Sequence, residues 1–293
     1  MNYNFSYKLG LAKLSCLQCL LLTALLCATS MCPESAYARN YFKIDWDDHS
    51  RDQAFKKVYG DIGNKQAQKL LFIGNSIIYS HDVPKMLAAM IKAKKPSQKV
   101  EIEMVAGPSY SLQDHCNEGL AARELKRQRW NIVVLQELTA MPEHDKACTL
   151  KYLAVLDKLA RKQGAEVYLM ETYNDIEKPR TTQTQTILRE AAKQMHEELL
   201  PTGQIFNYVH DIYPKIGIYS PDGHHPNYAG TYLLAMVAYS GLYHESPQGL
   251  PSSLTYPDGK VQQIFFSNPD SAARHLQDSV WFVMRKGGTV SKF

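Results

Sequence analysis

From Lys69 onward, short and largely apolar runs alternate with longer segments in which apolar residues recur every three or four positions. The short runs are typical of buried strands and the periodic segments of amphipathic helices. The predicted strands are Leu70–Ile73, Val100–Val105, Ile132–Leu135, Val167–Glu171 and Ile205–Val209. The predicted helices are Pro84–Lys94, Asp114–Arg129, Thr149–Gln163 and Thr182–Leu200. This alternation indicates βαβ units and an α/β fold, with one parallel sheet covered by helices on both faces.

Beyond the last predicted strand the pattern continues with a helix, Asn227–Tyr243, and a turn-rich tail. The tail holds a short apolar run, Val261–Phe266, and a further helix, Ala272–Arg285. No internal repeat and no second domain is evident. We therefore predict a single domain over residues 69–293, with the polar segment 39–68 packed on it as a lead-in.

The first 38 residues have the layout of a secretory signal peptide. Lys8 and Lys13 precede the apolar run Leu20–Ala28, and Ala36-Tyr37-Ala38 offers small residues for cleavage. We expect cleavage after about Ala38 and an exported protein, either periplasmic or secreted.

Two alternatives concern the same segment. An uncleaved membrane anchor would need a longer apolar run than this one, so no stable membrane span is expected after cleavage. A lipoprotein is the weaker alternative, because the residues before Cys27 and Cys32 suit lipidation poorly.

The overall composition restricts the class of partner. Hydrophobic residues at 45% and charged residues at 21% are ordinary for a globular protein, and the formal net charge over 293 residues is only +4. No long run of Lys or Arg forms a nucleic-acid footprint. We expect a small-molecule or glycan substrate and no nucleic acid.

Four of the six cysteines lie in the predicted signal peptide, which leaves Cys116 and Cys148. Two cysteines in an exported domain could form one disulfide. Bridging requires that their Cα atoms lie close together, and two free thiols are the alternative.

In open parallel sheets, ligands bind beyond the carboxyl ends of the strands. The residues to inspect therefore follow the five predicted strands. They are Gly74-Asn75-Ser76, Ala106-Gly107-Pro108, Gln136-Glu137, Thr172-Tyr173-Asn174 and His210-Asp211 with the loop after it.

The loop after the fifth predicted strand contains the sequence YSPDGHHPNYAG, in which Asp222 and His225 are three residues apart. Pro226 favours a helix start, which puts His225 at or beside an N-cap. Gly223 allows the loop to turn Asp222 back onto the imidazole. A carboxylate on one ring nitrogen fixes the tautomer, so the other nitrogen can act as a general base.

Ser76 follows the first predicted strand directly, on a Gly-Asn turn. A serine in this position is usually an ordinary turn residue, and an Asp-x-x-His loop is usually a helix cap. Together they place a hydroxyl, an imidazole and a carboxylate on one edge of one sheet, the set that nucleophilic acyl transfer requires.

These segments resemble three sequence blocks of the SGNH (GDSL-like) hydrolases. Ile73-Gly74-Asn75-Ser76, Gly107 and Asp222–Asn227 match in order and spacing, and Val133–Glu137 reads as the third block of one branch. The resemblance covers about 170 residues, Leu70 to Tyr243. It implies a three-layer α/β/α, flavodoxin-like fold with a five-stranded parallel sheet.

The resemblance also implies the roles of individual residues. Ser76 would be the nucleophile, His225 the general base and acid, and Asp222 the residue that orients His225. The oxyanion hole would comprise the backbone N–H groups of Ser76 and Gly107 and one side-chain amide. No metal or organic cofactor is implied.

The sequence departs from the family pattern at that side-chain amide. Most members have an Asn in a G-x-N-D block after the third strand, whereas this chain has Leu135-Gln136-Glu137. Gln136 can donate the same kind of hydrogen bond from a longer side chain. If Cys116 and Cys148 were bridged, the disulfide would tie together the two segments that carry Gly107 and Gln136.

Several residues near these blocks have competing interpretations. Tyr173-Asn174-Asp175 resembles part of a G-x-N-D block, but it follows the fourth predicted strand and is interpreted as a loop cap. Asp82 is interpreted as the cap of the helix opened by Pro84, with His81 as a possible cleft residue. His115 has no predicted role.

A metal site is a further alternative for the last loop. His210, Asp211, Asp222, His224 and His225 carry ligand chemistry, but their spacing matches no reliable zinc pattern. We interpret His224 as a surface or packing residue.

The sequence thus predicts an exported serine esterase of the SGNH type that hydrolyses small acyl esters through an acyl-serine intermediate. An acetyl ester on a carbohydrate or cell-envelope glycan is the leading substrate. A lipid esterase or thioesterase is one alternative. The other is a catalytically silent module that keeps the fold and binds carbohydrate or envelope components.

Overall fold

The computed structural model describes residues 53–139, 146–176, 183–264 and 269–285, which all belong to one compact unit. The predicted signal peptide 1–38 and the first part of the lead-in lie outside the described residues. The strands are β1 Phe55–Gly60, β2 Gln68–Gly74, β3 Val100–Ala106, β4 Ile132–Gln136, β5 Glu166–Met170, β6 Glu198–Leu200, β7 Ser253–Thr255 and β8 Val261–Gln263. The helices are α1 Ser76–Tyr79, α2 Val83–Lys94, α3 Leu112–Glu118, α4 Leu120–Arg127, α5 Lys146–Lys162, α6 Gln183–Met195, α7 Thr202–Ile212, α8 Tyr228–Tyr243 and α9 Pro269–Arg285.

The central sheet has the strand order β1-β3-β2-β4-β5-β6. Five strands, from β2 to β6, run parallel, and this part has the flavodoxin-like order predicted for the fold. The sheet as a whole has six strands, because β1 pairs antiparallel with β3 at the edge. The five-strand prediction missed β1, since its sequence FKKVYG lies in the polar lead-in and shows no strong alternation.

Side chains from successive positions of the strands enter two separate cores. Leu70 and Phe72 of β2 pack on the side of α2, α8 and α9, whereas Leu71 and Ile73 pack on the side of α4 and α5. Helix α8 has fourteen buried residues among its sixteen, so it is covered on nearly all sides. The result is the predicted three-layer α/β/α arrangement.

One predicted strand is wrong. Ile205–Val209 lies within helix α7, where Ile205, Phe206 and Val209 are buried. The fifth parallel strand is instead the three-residue β6, which lies in the segment predicted to be the end of a helix. Helix α7 starts where the carboxylate of Glu171 accepts the N–H groups of Gly203 and Gln204. His210 and Asp211 are therefore in a helix and do not follow a strand.

The predicted helix Asp114–Arg129 is two helices in the structure. They meet at Gly119, whose φ of 82° ends α3 and begins α4. This left-handed conformation is readily available to glycine, and it breaks the helical hydrogen-bond ladder.

Candidate active site

Strand β2 delivers Ser76 to the carboxyl edge of the sheet. Asn75 is the N-cap of α1, and its side chain accepts the N–H of Ile77 at 3.2 Å and donates to Tyr110 O at 3.0 Å. Ser76 is half-buried, and its hydroxyl makes no hydrogen bond to a residue that the structure describes. Ser76 follows β2, the strand that lies between β3 and β4, and the direction of the strand order reverses beside β2, which is the switch point of such a sheet.

The carbonyl oxygen of Gly74 accepts hydrogen bonds from two donors. The N–H of Gly107 lies 3.3 Å away, and Nε2 of His115 lies 2.7 Å away. A carbonyl oxygen can only accept, so Nε2 of His115 carries the proton. Burial lowers the pKa of His115, although the hydrogen bond to Gly74 acts in the opposite direction. His115 thus supports the serine turn, a role that the sequence did not reveal.

Gln136, the predicted oxyanion donor, is fully buried against the same turn. Its Oε1 accepts the N–H of Asn75 at 3.0 Å, and its Nε2 donates to the carbonyl oxygen of Glu137. One of the two amide hydrogens is therefore used within the protein. The carboxylate of Glu137 in turn accepts the N–H groups of Leu112 and Leu138 at 3.0 and 2.7 Å.

Gly107 begins a tight turn that Tyr110 closes through its N–H to the Gly107 carbonyl at 3.2 Å. Pro108 occupies the second position, and Ser109 has a φ of 55° in the third. These are features of a type II turn, in which glycine is usual at the third position. A Cβ on Gly107 would lie 1.6 Å from the Tyr110 ring, so glycine is required here by packing.

The Asp222–His225 loop is closed by short-range backbone contacts. Tyr219 and Pro226 form an isolated antiparallel bridge, and Ser220 N donates to His225 O at 2.8 Å. Gly223 adopts a φ of 68°, which is unstrained only for glycine. The loop therefore returns on itself and presents Asp222 to His225, as predicted.

Asp222 and His225 are directly paired. Oδ2 of Asp222 lies 2.7 Å from Nδ1 of His225, and Oδ1 accepts the backbone N–H of His225 at 3.0 Å. Burial lowers the pKa of His225, an effect that the hydrogen bond to Asp222 partly offsets. Burial alone would raise the pKa of Asp222, but hydrogen bonds from His224 and His225 outweigh it and lower that pKa.

His81 links the serine segment to the His225 loop. It lies five residues after Ser76, and its ring is 4.2 Å from that of Tyr228, three residues beyond His225. Burial lowers the pKa of His81, the charge of Asp82 opposes this, and nearby His225 lowers it further. The segment that carries Ser76 and the loop that carries His225 therefore reach the same edge of the sheet.

The predicted cap at Asp82 is only half right. Asp82 is the N-cap residue of α2, but its side chain makes no capping hydrogen bond and its φ is 56°. Its carboxylate instead accepts the hydroxyl of Tyr59 at 2.6 Å and lies 3.5 Å from Lys57 Nζ. Asp82 thus ties the edge strand β1 to the start of α2.

The segment Tyr173-Asn174-Asp175 supports the His225 loop from the far side. The hydroxyl of Tyr219 donates to Asn174 O at 2.9 Å, and Asp175 Oδ1 pairs with His224 Nδ1 at 2.5 Å. The buried Nδ2 of Asn174 and the hydroxyl of Tyr173 have no hydrogen-bond partner within the described part of the chain.

The predicted disulfide is not formed. Cys116 and Cys148 are not bridged to each other in the structure, and Cys148 Sγ contacts Gln113 Oε1 at 3.1 Å. Burial, with the charge of Glu137, raises the pKa of Cys116 to about 11. The supporting contacts of Gly107 and Gln136 therefore come from hydrogen bonds and packing.

Among the residues that the structure describes, no group of three His, Cys, Asp or Glu side chains is arranged to hold a metal ion. None of the described helices combines the length and the apolar character needed to cross a bilayer.

Comparison with known proteins gives structural neighbours only. No protein-family model and no curated protein matches the chain. A DUF4886 family protein from Bacteroides uniformis aligns with 78% of this chain and 98% of its own, at 15% identity and a TM-score of 0.57. The Bacillus subtilis protein YXIM aligns with 61% of this chain at 18% identity and a TM-score of 0.51, and the chain spans 56% of it.

A candidate SGNH hydrolase from Slackia heliotrinireducens is a further neighbour, at 23% identity and a TM-score of 0.49. The alignment covers 60% of this chain and 99% of that one. At these identities the likeness concerns the fold. The strand order, the three layers and the two neighbours with TM-scores above 0.5 show that the chain has a three-layer α/β/α, flavodoxin-like fold.

Proposed function

We propose that the protein is a serine esterase that hydrolyses small acyl esters through an acyl-serine intermediate. The observation that carries the proposal is the Asp222–His225 pair: a buried imidazole whose Nδ1 lies 2.7 Å from a carboxylate oxygen. Its loop and the segment of Ser76 reach one edge of the sheet, and the Ser76 hydroxyl makes no hydrogen bond to a described residue.

In the proposed reaction, Nε2 of His225 removes the proton of the Ser76 hydroxyl as Oγ attacks the acyl carbon. The proton then passes to the leaving alkoxide, and the C–O bond of the ester breaks. A water molecule, deprotonated by the same nitrogen, releases the acid and restores Ser76. Asp222 stabilises the imidazolium that forms in both steps.

The negative charge on the acyl oxygen needs hydrogen-bond donors. The N–H of Ser76, at the first position of α1, makes no hydrogen bond to a described residue. We propose it as the first donor and the second amide hydrogen of Gln136 as another. The N–H of Gly107 would have to exchange its 3.3 Å contact with Gly74 O for the substrate.

We also propose that the protein is exported and that its substrate is an acetyl ester of a glycan. Export is supported by the layout of residues 1–38, and the glycan by the expectation that follows from the family resemblance. An acetyl group needs little space on the acyl side, so the rate is expected to fall as the acyl chain grows.

The test is hydrolysis of p-nitrophenyl acetate, butyrate and octanoate by the protein and by Ser76→Ala. Ser253→Ala, an exposed serine of strand β7, is the matched control. Activity that falls with acyl length, disappears in Ser76→Ala and persists in Ser253→Ala supports the proposal. Labelling of Ser76 by a fluorophosphonate, located by peptide mass spectrometry, gives an independent measure of the nucleophile.

Two results would count against this function. Octanoate as the preferred substrate would favour a lipid esterase. Equal inactivity of the protein and Ser76→Ala, together with no label on Ser76, would favour a module that only binds.

A further inference from the structure

A cavity of about 900 Å³ lies where the end of α7, the start of α8 and helix α9 meet. Tyr228 forms part of its wall, and the centroid of the same ring lies 4.2 Å from that of His81. His225 is near enough to His81 to lower the pKa of His81 further, so the wall at Tyr228 is connected through His81 to the candidate general base.

The walls of the cavity combine aromatic and polar side chains with the aliphatic residues Ile212, Pro214, Ile216, Ile264 and Ala272. Tyr213 and His275 are stacked with ring centroids 4.4 Å apart, and the Ser271 hydroxyl lies 3.4 Å from His275 Nε2. Tyr228 is 40% exposed, so its ring is available to a ligand. Lys215 and the amide of Asn227 add polar groups to the lining.

This mixture fits a saccharide better than an acyl chain. A sugar ring has C–H groups that pack against aromatic faces and hydroxyls that need hydrogen-bond partners. An acyl chain has no hydrogen-bonding groups, and burying the hydroxyl of Ser271 and the ring nitrogens of His275 against it would cost free energy. The volume is near the upper end of the range of about 300–1,000 Å³ for ligand pockets, far more than an acetyl group requires.

The wall nearest the active site is held firmly. Asn227 Nδ2 donates to Gly217 O and Tyr219 O at 2.9 and 3.1 Å, while its Oδ1 accepts the N–H of Gly230 at 3.0 Å. A single side chain thus joins the cavity wall, the start of α8 and the segment before Asp222. Such a preorganised wall loses little entropy when a ligand binds.

We propose that this cavity binds the saccharide that forms the alcohol part of the ester. The inference rests on the proposed function in placing the acyl group at Ser76, but saccharide binding itself does not require hydrolysis. Tyr213 and Tyr228 provide the stacking faces, and Ser271, His275 and Lys215 bind hydroxyl or acidic groups of the sugar.

The test uses the full chain carrying Ser76→Ala, so that binding is measured without turnover. Isothermal titration calorimetry would be run with xylotetraose, chitotetraose and tetragalacturonate, and with octanoate as the acyl probe. We expect at least one tetrasaccharide to bind and its affinity to fall tenfold or more in Tyr213→Ala and in Tyr228→Ala. Tyr152→Ala, a half-buried tyrosine of helix α5 remote from the cavity, should retain the affinity.

Circular dichroism and thermal unfolding would check that each variant is folded, and Tyr213→Leu replaces Tyr213→Ala if the latter is not. Three results would overturn the inference: no tetrasaccharide binds, octanoate alone binds, or the tyrosine substitutions leave the affinity unchanged.

The two proposals can fail separately. Ester hydrolysis without any tetrasaccharide binding would remove the saccharide site and leave the esterase. Tetrasaccharide binding that depends on Tyr213, in a protein inert on all esters, would remove the esterase and leave the saccharide site.

Discussion

Both carboxylate oxygens of Asp222 bind His225: Oδ2 lies 2.7 Å from Nδ1, and Oδ1 accepts the backbone N–H at 3.0 Å and also that of His224 at 2.9 Å. The carboxylate therefore fixes the ring and the chain that carries it. This arrangement needs only a separation of three residues and a turn at Gly223, so it is encoded locally.

Replacing Asp222 by Asn should cost about 10³–10⁴-fold in kcat on p-nitrophenyl acetate. An amide keeps the size of the side chain but does not stabilise the imidazolium, and it can donate to Nδ1 and select the wrong tautomer. Asp175→Asn is the control, because Asp175 pairs with His224. A similar loss in both variants would mean that the loop as a whole, and not the Asp222–His225 pair, limits activity.

The pH profile of kcat/KM should rise with a midpoint below 6.5. Burial lowers the pKa of His225 from 6.5, the effect of His224 adds to it, and Asp222 and Asp175 act in the opposite direction. The general base must be neutral, so activity is lost only when the pH falls below this lowered pKa. A midpoint above 6.5 would contradict the assignment.

Because the pKa of His81 is also lowered, by burial first of all, its titration could be mistaken for that of the base. In His81→Gln, kcat/KM should still rise with pH at the same midpoint. In Asp222→Asn, the midpoint of the residual kcat/KM should move to still lower pH. A rise that disappears in His81→Gln would identify His81 as the titrating group.

The parts of the fold that were predictable are those with strong local patterns. The side chains of the continuous apolar run in β4 point to both faces of the sheet, so all of them are buried only if helices cover both faces. By contrast, the segment Ile205–Val209 fits a strand or a helix equally well. In the structure the segment is helical, and the carboxylate of Glu171, more than thirty positions away, stabilises the start of α7 by accepting two of its N–H groups.

The same distinction applies to the candidate site. The Asp222–His225 pair was recognisable because its two members are close in sequence. The partners of His115 and Gln136 are backbone groups of Gly74 and Asn75, 41 and 61 residues away. No periodicity or motif in the sequence predicts these contacts. They form only because β4 lies next to β2 in the sheet and α3 packs against β2.

Gln136→Glu should distinguish between two roles of Gln136, as a hydrogen-bond donor to the oxyanion and as a structural partner of Asn75. The carboxylate retains an oxygen that accepts the N–H of Asn75, but it loses the amide hydrogens. A buried carboxylate also loses the hydrogen bond to Glu137 O, so the melting temperature should fall as well. If Gln136 is an oxyanion donor, kcat measured on the folded protein should fall about 10²–10³-fold in addition. Gln185→Glu is a control for placing a buried carboxylate, since Gln185 donates to Thr172 O away from the serine turn. Full activity of Gln136→Glu would leave Gln136 with a structural role only.

Gly74→Ala should lower both stability and activity. A Cβ at this position would lie 2.4 Å from Oε1 of Gln136, which is buried and bonded to Asn75 N–H. Relief requires the Gln136 side chain to shift, at a cost of about 1–3 kcal/mol in the free energy of unfolding. Gly217→Ala, where a Cβ meets no atom within 4 Å, should change it by less than about 0.5 kcal/mol. Urea unfolding measures both, and equal stability of the two variants would contradict the predicted clash.

Glu103 should make the stability of the protein fall as the pH rises through neutrality. Burial raises its pKa to about 7, helped by a hydrogen bond with Glu124 and opposed by Arg127 and Lys56. The folded state then binds a proton more tightly than the unfolded state, whose Glu has an ordinary pKa near 4.5. The stabilisation is complete below about pH 4.5 and is lost as the pH rises through about 7.

Glu103→Gln cannot lose this proton, so its advantage over the wild type should grow between about pH 5 and 8 in urea unfolding. Glu166→Gln, at an exposed position of β5, is the control, and its free energy of unfolding should vary with pH as that of the wild type does. If the free energy of unfolding of Glu103→Gln also varies with pH as that of the wild type does, Glu103 is ionised throughout this range.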